Sequence, residues 1–335
     1  MQALNQLELF FGDAHEAAAR VYARLARDES TADRKLSGEL VGPECRFAQT
    51  LSARIPFRDL GPGESLLAEA VVPDPCFWTP ELPMLYRAEL GARDEGRGPR
   101  GNELVVRSEE SVEQAATPVP LSPCGRGVRG EGEPSEGQSN SIRRWFGIRR
   151  LGTKGRAIFL DMVRWVPRGV WLPQITVDDL KAARKANITL CGPPPDDGIC
   201  LEASKHGVPL FIDLNSHAEN LLEEVRRLGQ WPAIFLLIFP ADAEVDSAIR
   251  AAAKNVLFAA KFSAGAARVA PPWAQVLLCD VDAEHLPPST GCQLPVLIRR
   301  RISSAAAQLA AARAACDRLQ YDMAASGDFA GYFVT

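Results

Sequence analysis

Val72-Pro73-Asp74-Pro75-Cys76-Phe77-Trp78-Thr79-Pro80-Glu81-Leu82-Pro83-Met84-Leu85-Tyr86 is the stretch on which the reading of this chain turns. Its prolines at 73, 75, 80 and 83 each fix φ and remove a backbone donor, which excludes the segment from the interior of a helix or sheet. A rigid, extended crossing is expected. Phe77, Trp78, Leu82, Leu85 and Tyr86 are spaced along that stiff backbone as apolar anchors, and residues 85–90 then alternate as a strand does.

Outward toward the N-terminus, apolar runs at 7–11, 35–41, 47–55 and 66–72 are separated by Gly, Pro and Asp, and they predict short strands. Residues 15–25 have a helical composition that an amphipathic strand would share, so their type is left open. Toward the C-terminus, residues 91–141 are crowded with Gly, Arg, Glu, Pro and Ser. Such a stretch buries too little apolar surface to offset its ordering entropy, which predicts a disordered insertion between a strand at 84–90 and one at 142–151. Loop-closure entropy grows only logarithmically with length, so a hairpin tolerates it.

Beyond residue 151 apolar strands alternate with helices. Strands are expected at 165–170, 187–191, 209–214, 233–239, 256–262, 275–281, 295–298 and 329–334, and helices at 177–186, 197–206, 218–228, 244–253 and 303–325. Alternation of this kind argues a parallel sheet, and eight units argue a (β/α)8 barrel. Residues 165–335 fall short of the roughly 200 residues at the lower end for that fold, so helices must be short or missing.

The chain of 335 residues carries a net charge of −4 and no basic patch, which argues against nucleic acid as a partner. It offers no run of 18 apolar residues for a membrane span and no cationic start followed by an apolar leader, so a cytoplasmic location is expected. The eight cysteines form no C-x-x-C pair and read as reduced, mostly buried thiols; no metal or cofactor is expected. Oligomeric state is left open.

The run from Trp78 to Tyr86 resembles the Trp-x-Pro-x-x-Pro-x-Leu-Tyr signature in the immunoglobulin-like sandwich of family 2 glycoside hydrolases, the β-galactosidase, β-mannosidase and β-glucuronidase clan. Phe146-Gly147-Ile148-Arg149-Arg150 and Arg168-Gly169-Val170 resemble the family's later sandwich strand and first barrel strand. The resemblance implies an immunoglobulin-like β-sandwich over 1–156, carrying the insertion, followed by a reduced (β/α)8 barrel, similar to a TIM barrel, over 157–335.

It also implies where chemistry should lie. Retaining glycosidases use two carboxyl groups roughly 5 Å apart, and in a barrel these sit at the carboxyl ends of strands. The segment from Trp231 to Asp242 is similar to the family's fourth strand, which places the acid/base on Asp242, one methylene shorter than Glu, and a sugar-binding Asn on Ala241. The segment from Leu294 to Arg300 is similar to the seventh strand, which places the nucleophile on Arg300. A guanidinium has no lone pair to give. Asp213, His217, Asp280 and Asp282 are further candidates near strand ends, although an Asp there ordinarily caps the next helix. Asp280 with Asp242 could form a relocated couple. Asp280, Asp282, Glu284 and His285 could surround a cation, but alternation sends neighbours to opposite sides. The expectation is a catalytically degenerate glycosidase relative with a carbohydrate or protein partner. The alternatives are a residual hydrolase of β-glycosides using Asp242 as acid/base, and an assembly module using an apolar sandwich surface around Trp78.

Overall fold

Alternate residues are buried along β2 (Ala18–Ala26) and β5 (Ser65–Pro73): Ala19, Val21, Ala23 and Leu25 on one, Leu66, Ala68, Ala70 and Val72 on the other. That period of two gives each strand one apolar face, and the antiparallel register that sets Val21 opposite Ala70 keeps the two faces together. Residues 15–25, left open between helix and strand, are therefore strand apart from a turn at 16–17. The computed structural model describes residues 7–27, 34–61, 63–94, 141–214, 220–263, 269–282, 293–302 and 309–335.

With β1 (Glu8–His15), β3 (Arg34–Glu44), β4 (Ala53–Asp59), β6 (Leu85–Asp94) and β7 (Ser141–Phe146), these strands make a seven-stranded antiparallel sheet in the order β1-β2-β5-β4-β3-β6-β7. β4 pairs with β3 over five residues but with β5 only at Arg58 and Asp59, so the sheet folds over at this corner. The outermost strands meet: Phe11 of β1 lies edge-on to Phe146 of β7, ring centres 6.0 Å apart. The result is a sandwich-like half-barrel around Leu9, Leu36, Leu40, Leu66 and Tyr86. The strand expected at 47–55 exists only at its end, because Leu51 is 97% exposed and β4 begins at Ala53. β6 and β7 form the expected hairpin, Tyr86 opposite Phe146. Residues 91–94 and 141, expected in the insertion, are strand; its disorder concerns residues 95–140, which lie outside the described residues.

A three-stranded meander, β8 (Leu151–Lys154), β9 (Ala157–Leu160) and β10 (Val163–Trp165), leads to a closed barrel of parallel strands. These are β11 (Arg168–Trp171), β12 (Thr189–Gly192), β13 (Leu210–Asp213), β14 (Ile234–Pro240), β15 (Leu257–Phe262), β16 (Val276–Val281), β17 (Val296–Arg300) and β18 (Gly331–Val334). All eight strands were legible. Helices α1 (Val177–Ala186), α2 (Asp197–His206), α3 (Leu221–Gly229), α4 (Ser247–Ala252) and α5 (Leu309–Met323) cover it. Thr176, Asp196 and Asp246 cap α1, α2 and α4 by accepting from backbone N–H groups of the first turn. Among the described residues no helix separates β15 from β16 or β16 from β17. Gly169 is required in β11, since a Cβ there would lie 2.0 Å from the Phe333 ring.

The proline-rich crossing joins the two parts at the amino ends of the barrel strands. Trp78 is fully buried: its backbone N–H donates to Ile148 O at 2.6 Å and its indole N–H to Ser204 O at 2.9 Å, and its ring meets Phe235. Trp78 itself presents no surface to solvent. Leu82, expected as an anchor, is 46% exposed. Tyr86 Oη accepts from Cys76 N–H at 2.9 Å, while burial pushes its phenol up to about 12. Gly147 lies against β14's approach, where a Cβ would come within 2.6 Å of Pro232. Beside it the buried Arg149 donates to the carbonyls of Pro232, Ile234 and Asn255 and stacks on Phe235, at the point where the β13/β14 register skips a residue. Burial pulls this guanidinium down to about 9, still a cation at neutral pH.

Candidate functional site at the barrel mouth

Strand alternation decides which side chains enter the barrel. The register rows place Trp171, Cys191 and Phe211 level with one another, and Arg299 level with Phe333. Together with Ile238 and Leu278 these side chains fill the interior so closely that no space for a water molecule is left between them. Interior and outer positions then follow two by two toward the carboxyl ends.

Asp213, two residues beyond Phe211, faces in and accepts from Lys261 Nζ of β15 at 2.6 Å. Asp280, two beyond Leu278, pairs in register with Arg299 and accepts from its Nε at 2.6 Å and its Nη2 at 3.0 Å. The Arg299 guanidinium lies 4.9 Å from the centre of the Trp171 indole, which adds a cation–π contact to the fork. Burial opposes the charge on Arg299, but the hydrogen bonds and charge of Asp280, with Cys191 and Asp213 nearby, hold its pKa above the ordinary value. Among the described residues the inward-facing charges at the mouth are thus two acids and two bases, each acid paired with one base.

Arg300 is not among them. One residue past Arg299 it falls on the outer face, where it donates to Asp322 at 2.9 Å and touches the Met323 sulfur at 3.7 Å, both on α5. The expected cation at the end of the seventh strand is present but displaced by one residue, because a slip of one in a period of two exchanges the faces. Asp242 follows β14 in a turn closed by Ala243 N–H to Pro240 O at 3.0 Å. It is exposed and makes no ion pair or hydrogen bond within the described residues. Asp282 lies just past β16 and is exposed. His217, Glu284 and His285 lie outside the described residues. Of the sequence candidates, Asp213 and Asp280 reach the mouth as inward-facing groups.

Lys261, Arg299 and Trp171 were missed by sequence reasoning. Their signal was parity: Leu278 and Asp280 share a face, and so do Leu297 and Arg299, but only the register says that this face is the inner one. Chemically, a carboxylate paired with a cation at 2.6 Å is held ionised and loses basicity, which suits it poorly to donate a proton as a general acid. Cys191 offers no substitute, since burial raises its thiol well above the usual range.

No protein-family model matches this chain, and no curated protein matches it. Solved structures do. The fold is similar to that of the Bifidobacterium dentium β-glucuronidase complexed with coumarin-3-O-glucuronide, at 11% identity and a TM-score of 0.59, covering 98% of this chain and 60% of that one. It is similar to the β-D-glucuronidase of Dictyoglomus thermophilum, at 11% identity and a TM-score of 0.56, covering 98% and 61%. A β-glucuronidase from glycoside hydrolase family 2 matches at 9% identity and a TM-score of 0.52, over 89% of this chain and 31% of the other. This chain therefore spans less than two thirds of the length of each, and identities this low speak for the fold alone.

Proposed function

We propose that the chain is a catalytically degenerate relative of the family 2 glycosidases, whose barrel mouth no longer cleaves glycosides and whose remaining role is to bind a carbohydrate or protein partner. One observation carries this reading: the inward-facing carboxylates Asp213 and Asp280 are each spent on an inward-facing cation, Lys261 and Arg299. Hydrolysis at a sugar needs one carboxyl to donate a proton and another to attack or to activate water. Asp242, at the position that resembles the acid/base, is an exposed turn residue with no partner to orient it among the described residues. The filled interior also favours loss, because a pyranose ring bound against Trp171 would have to displace Arg299.

The test is release of nitrophenol from aryl β-glucuronides, β-galactosides and β-mannosides by the full chain. No release above the buffer rate is expected. Turnover that disappears in Asp242→Ala would overturn the reading and restore a hydrolase that uses Asp242.

A further inference from the structure

Room opens at the opposite end of the barrel. Between the amino ends of β11, β12 and β13, the proline crossing and the last turn of α1 lies a cavity of about 410 Å³. That is within the roughly 300–1,000 Å³ usual for sites that take small molecules. Its wall is partly apolar, from Trp165, Pro167 and Pro209, and its charges are unbalanced: three guanidiniums, from Arg168, Arg184 and Arg313, against the single carboxylate of Glu81.

Those arginines are not equally engaged. Arg168 and Arg313 share Asp317, at 2.7 and 3.3 Å, and Arg313 also donates to the carbonyl of Asn187 at 2.7 Å. Arg184 donates Nη2 to the carbonyl of Glu81 at 2.9 Å and rests on the Phe47 ring, and it has no carboxylate partner among the described residues. A second, independent feature points the same way. Thr189, only 3% exposed, is an inner-face residue at the floor of the barrel, level with Gly169, and it lines this cavity. Its hydroxyl has no hydrogen-bond partner among the described residues. The hydroxyl opens onto the cavity, and a free donor in the same wall as a guanidinium without a carboxylate partner suits a ligand that supplies an acceptor.

We propose that this cavity binds a small organic anion, a carboxylate or phosphate monoester with a flat apolar body. The anionic group would sit between Arg184 and the Thr189 hydroxyl, and the body would lie along Trp165 and the prolines. The site does not depend on the glycosidase reading, since it lies at the other end of the strands from Asp213 and Asp280.

Isothermal titration of the full chain with phenyl phosphate and with benzoate tests it, alongside inorganic phosphate and the neutral benzyl alcohol. At least one of the two organic anions should bind measurably at millimolar concentration, and more tightly than either comparison probe. Arg184→Gln should weaken binding about tenfold, as loss of a charge-assisted hydrogen bond does. Thr189→Val, which keeps shape and removes only the hydroxyl, should weaken it about fivefold and serves as the reporter should Arg184→Gln fail to fold. Binding of neither organic anion at 10 mM (about a hundred times the Kd of a modest site) would overturn the proposal. So would equal binding of inorganic phosphate or benzyl alcohol, or an affinity unchanged by Thr189→Val.

Discussion

The two ends of the barrel handle arginine in opposite ways. At the carboxyl end Arg299 is given an acid, Asp280, and a ring, Trp171, and with its neighbours it leaves no free volume. At the amino end Arg149 is buried with carbonyl oxygens and the Phe235 ring but no acid, and Arg184 stands beside an open cavity with one carbonyl and one ring. Among the described residues, the inward-facing charges at the mouth are matched to one another. The base holds the molecule together and still keeps unmatched donors. Barrels of this kind ordinarily carry their chemistry at the carboxyl ends of the strands, and here that is the end whose inward-facing described charges are paired.

Removing Arg149 should cost most. Arg149→Met keeps the apolar stem but strips the Pro232, Ile234 and Asn255 carbonyls of their donor at a buried junction, and about 4 kcal/mol of stability should be lost. A urea midpoint within 0.3 M or so of the parent, on the usual slope of ~1–3 kcal/mol per M, would show that the junction does not depend on it.

Arg299→Met comes next, at about 2 kcal/mol. This is below the ~3–5 kcal/mol for breaking a fully buried pair because Asp280 keeps 33% of its side-chain surface in water. Arg300→Met, one residue on, should cost under about 1 kcal/mol, since its pair with Asp322 is a partly exposed one on the outer face. The neighbouring pair is a direct test of register. Equal costs for the two substitutions would contradict the assignment of Arg299 to the inside and Arg300 to the outside.

That assignment also marks how far the sequence could be read. All eight barrel strands and the limits of α1 and α2 were legible, because apolar runs between Gly, Pro and capping Asp residues are local signals. The proline crossing was legible as rigid, and Trp78 as an anchor, yet Leu82 carries the same hydrophobicity and faces water. Composition does not say which side of a stiff segment meets the barrel. The site was less legible still. Asp213 and Asp280 could be named from their place at strand ends, but Lys261 and Arg299 become their partners only through pairing across strands distant in sequence. Arg299 and Arg300 are the same residue type side by side, and nothing local separates them. Arg149 was read as part of a motif without a role, because its acceptors lie 83 to 106 residues away.

The smallest effect expected concerns pH, and it should fall on one end alone. His206 ends α2, is 5% exposed, and its Nε2 lies 3.0 Å from Arg46 Nη1 in the loop between β3 and β4, an arrangement that suits a neutral ring accepting from the guanidinium. Burial first, then the charge of Arg46, lowers its pKa below the ordinary 6.5, with Lys181 and Arg184 adding to the shift and Glu202 opposing it. The unfolded chain therefore binds this proton more readily than the folded one. The stability His206 contributes is complete above about pH 6.5 and is lost as pH falls through its lower folded value. Phe47 lies between His206 and Arg184, so protonation should loosen residues 45–52 while the pairs at the mouth, where no histidine occurs among the described residues, stay closed. Hydrogen exchange at pH 7.5 and 5.5, corrected for intrinsic rates, should show protection falling at 45–52 and unchanged at 276–281. His206→Gln, which keeps an acceptor for Arg46 and cannot gain the proton, should abolish that difference. If the loop loosens equally in the Gln variant, the pH response belongs to some other group and the two ends of the barrel do not differ in this respect.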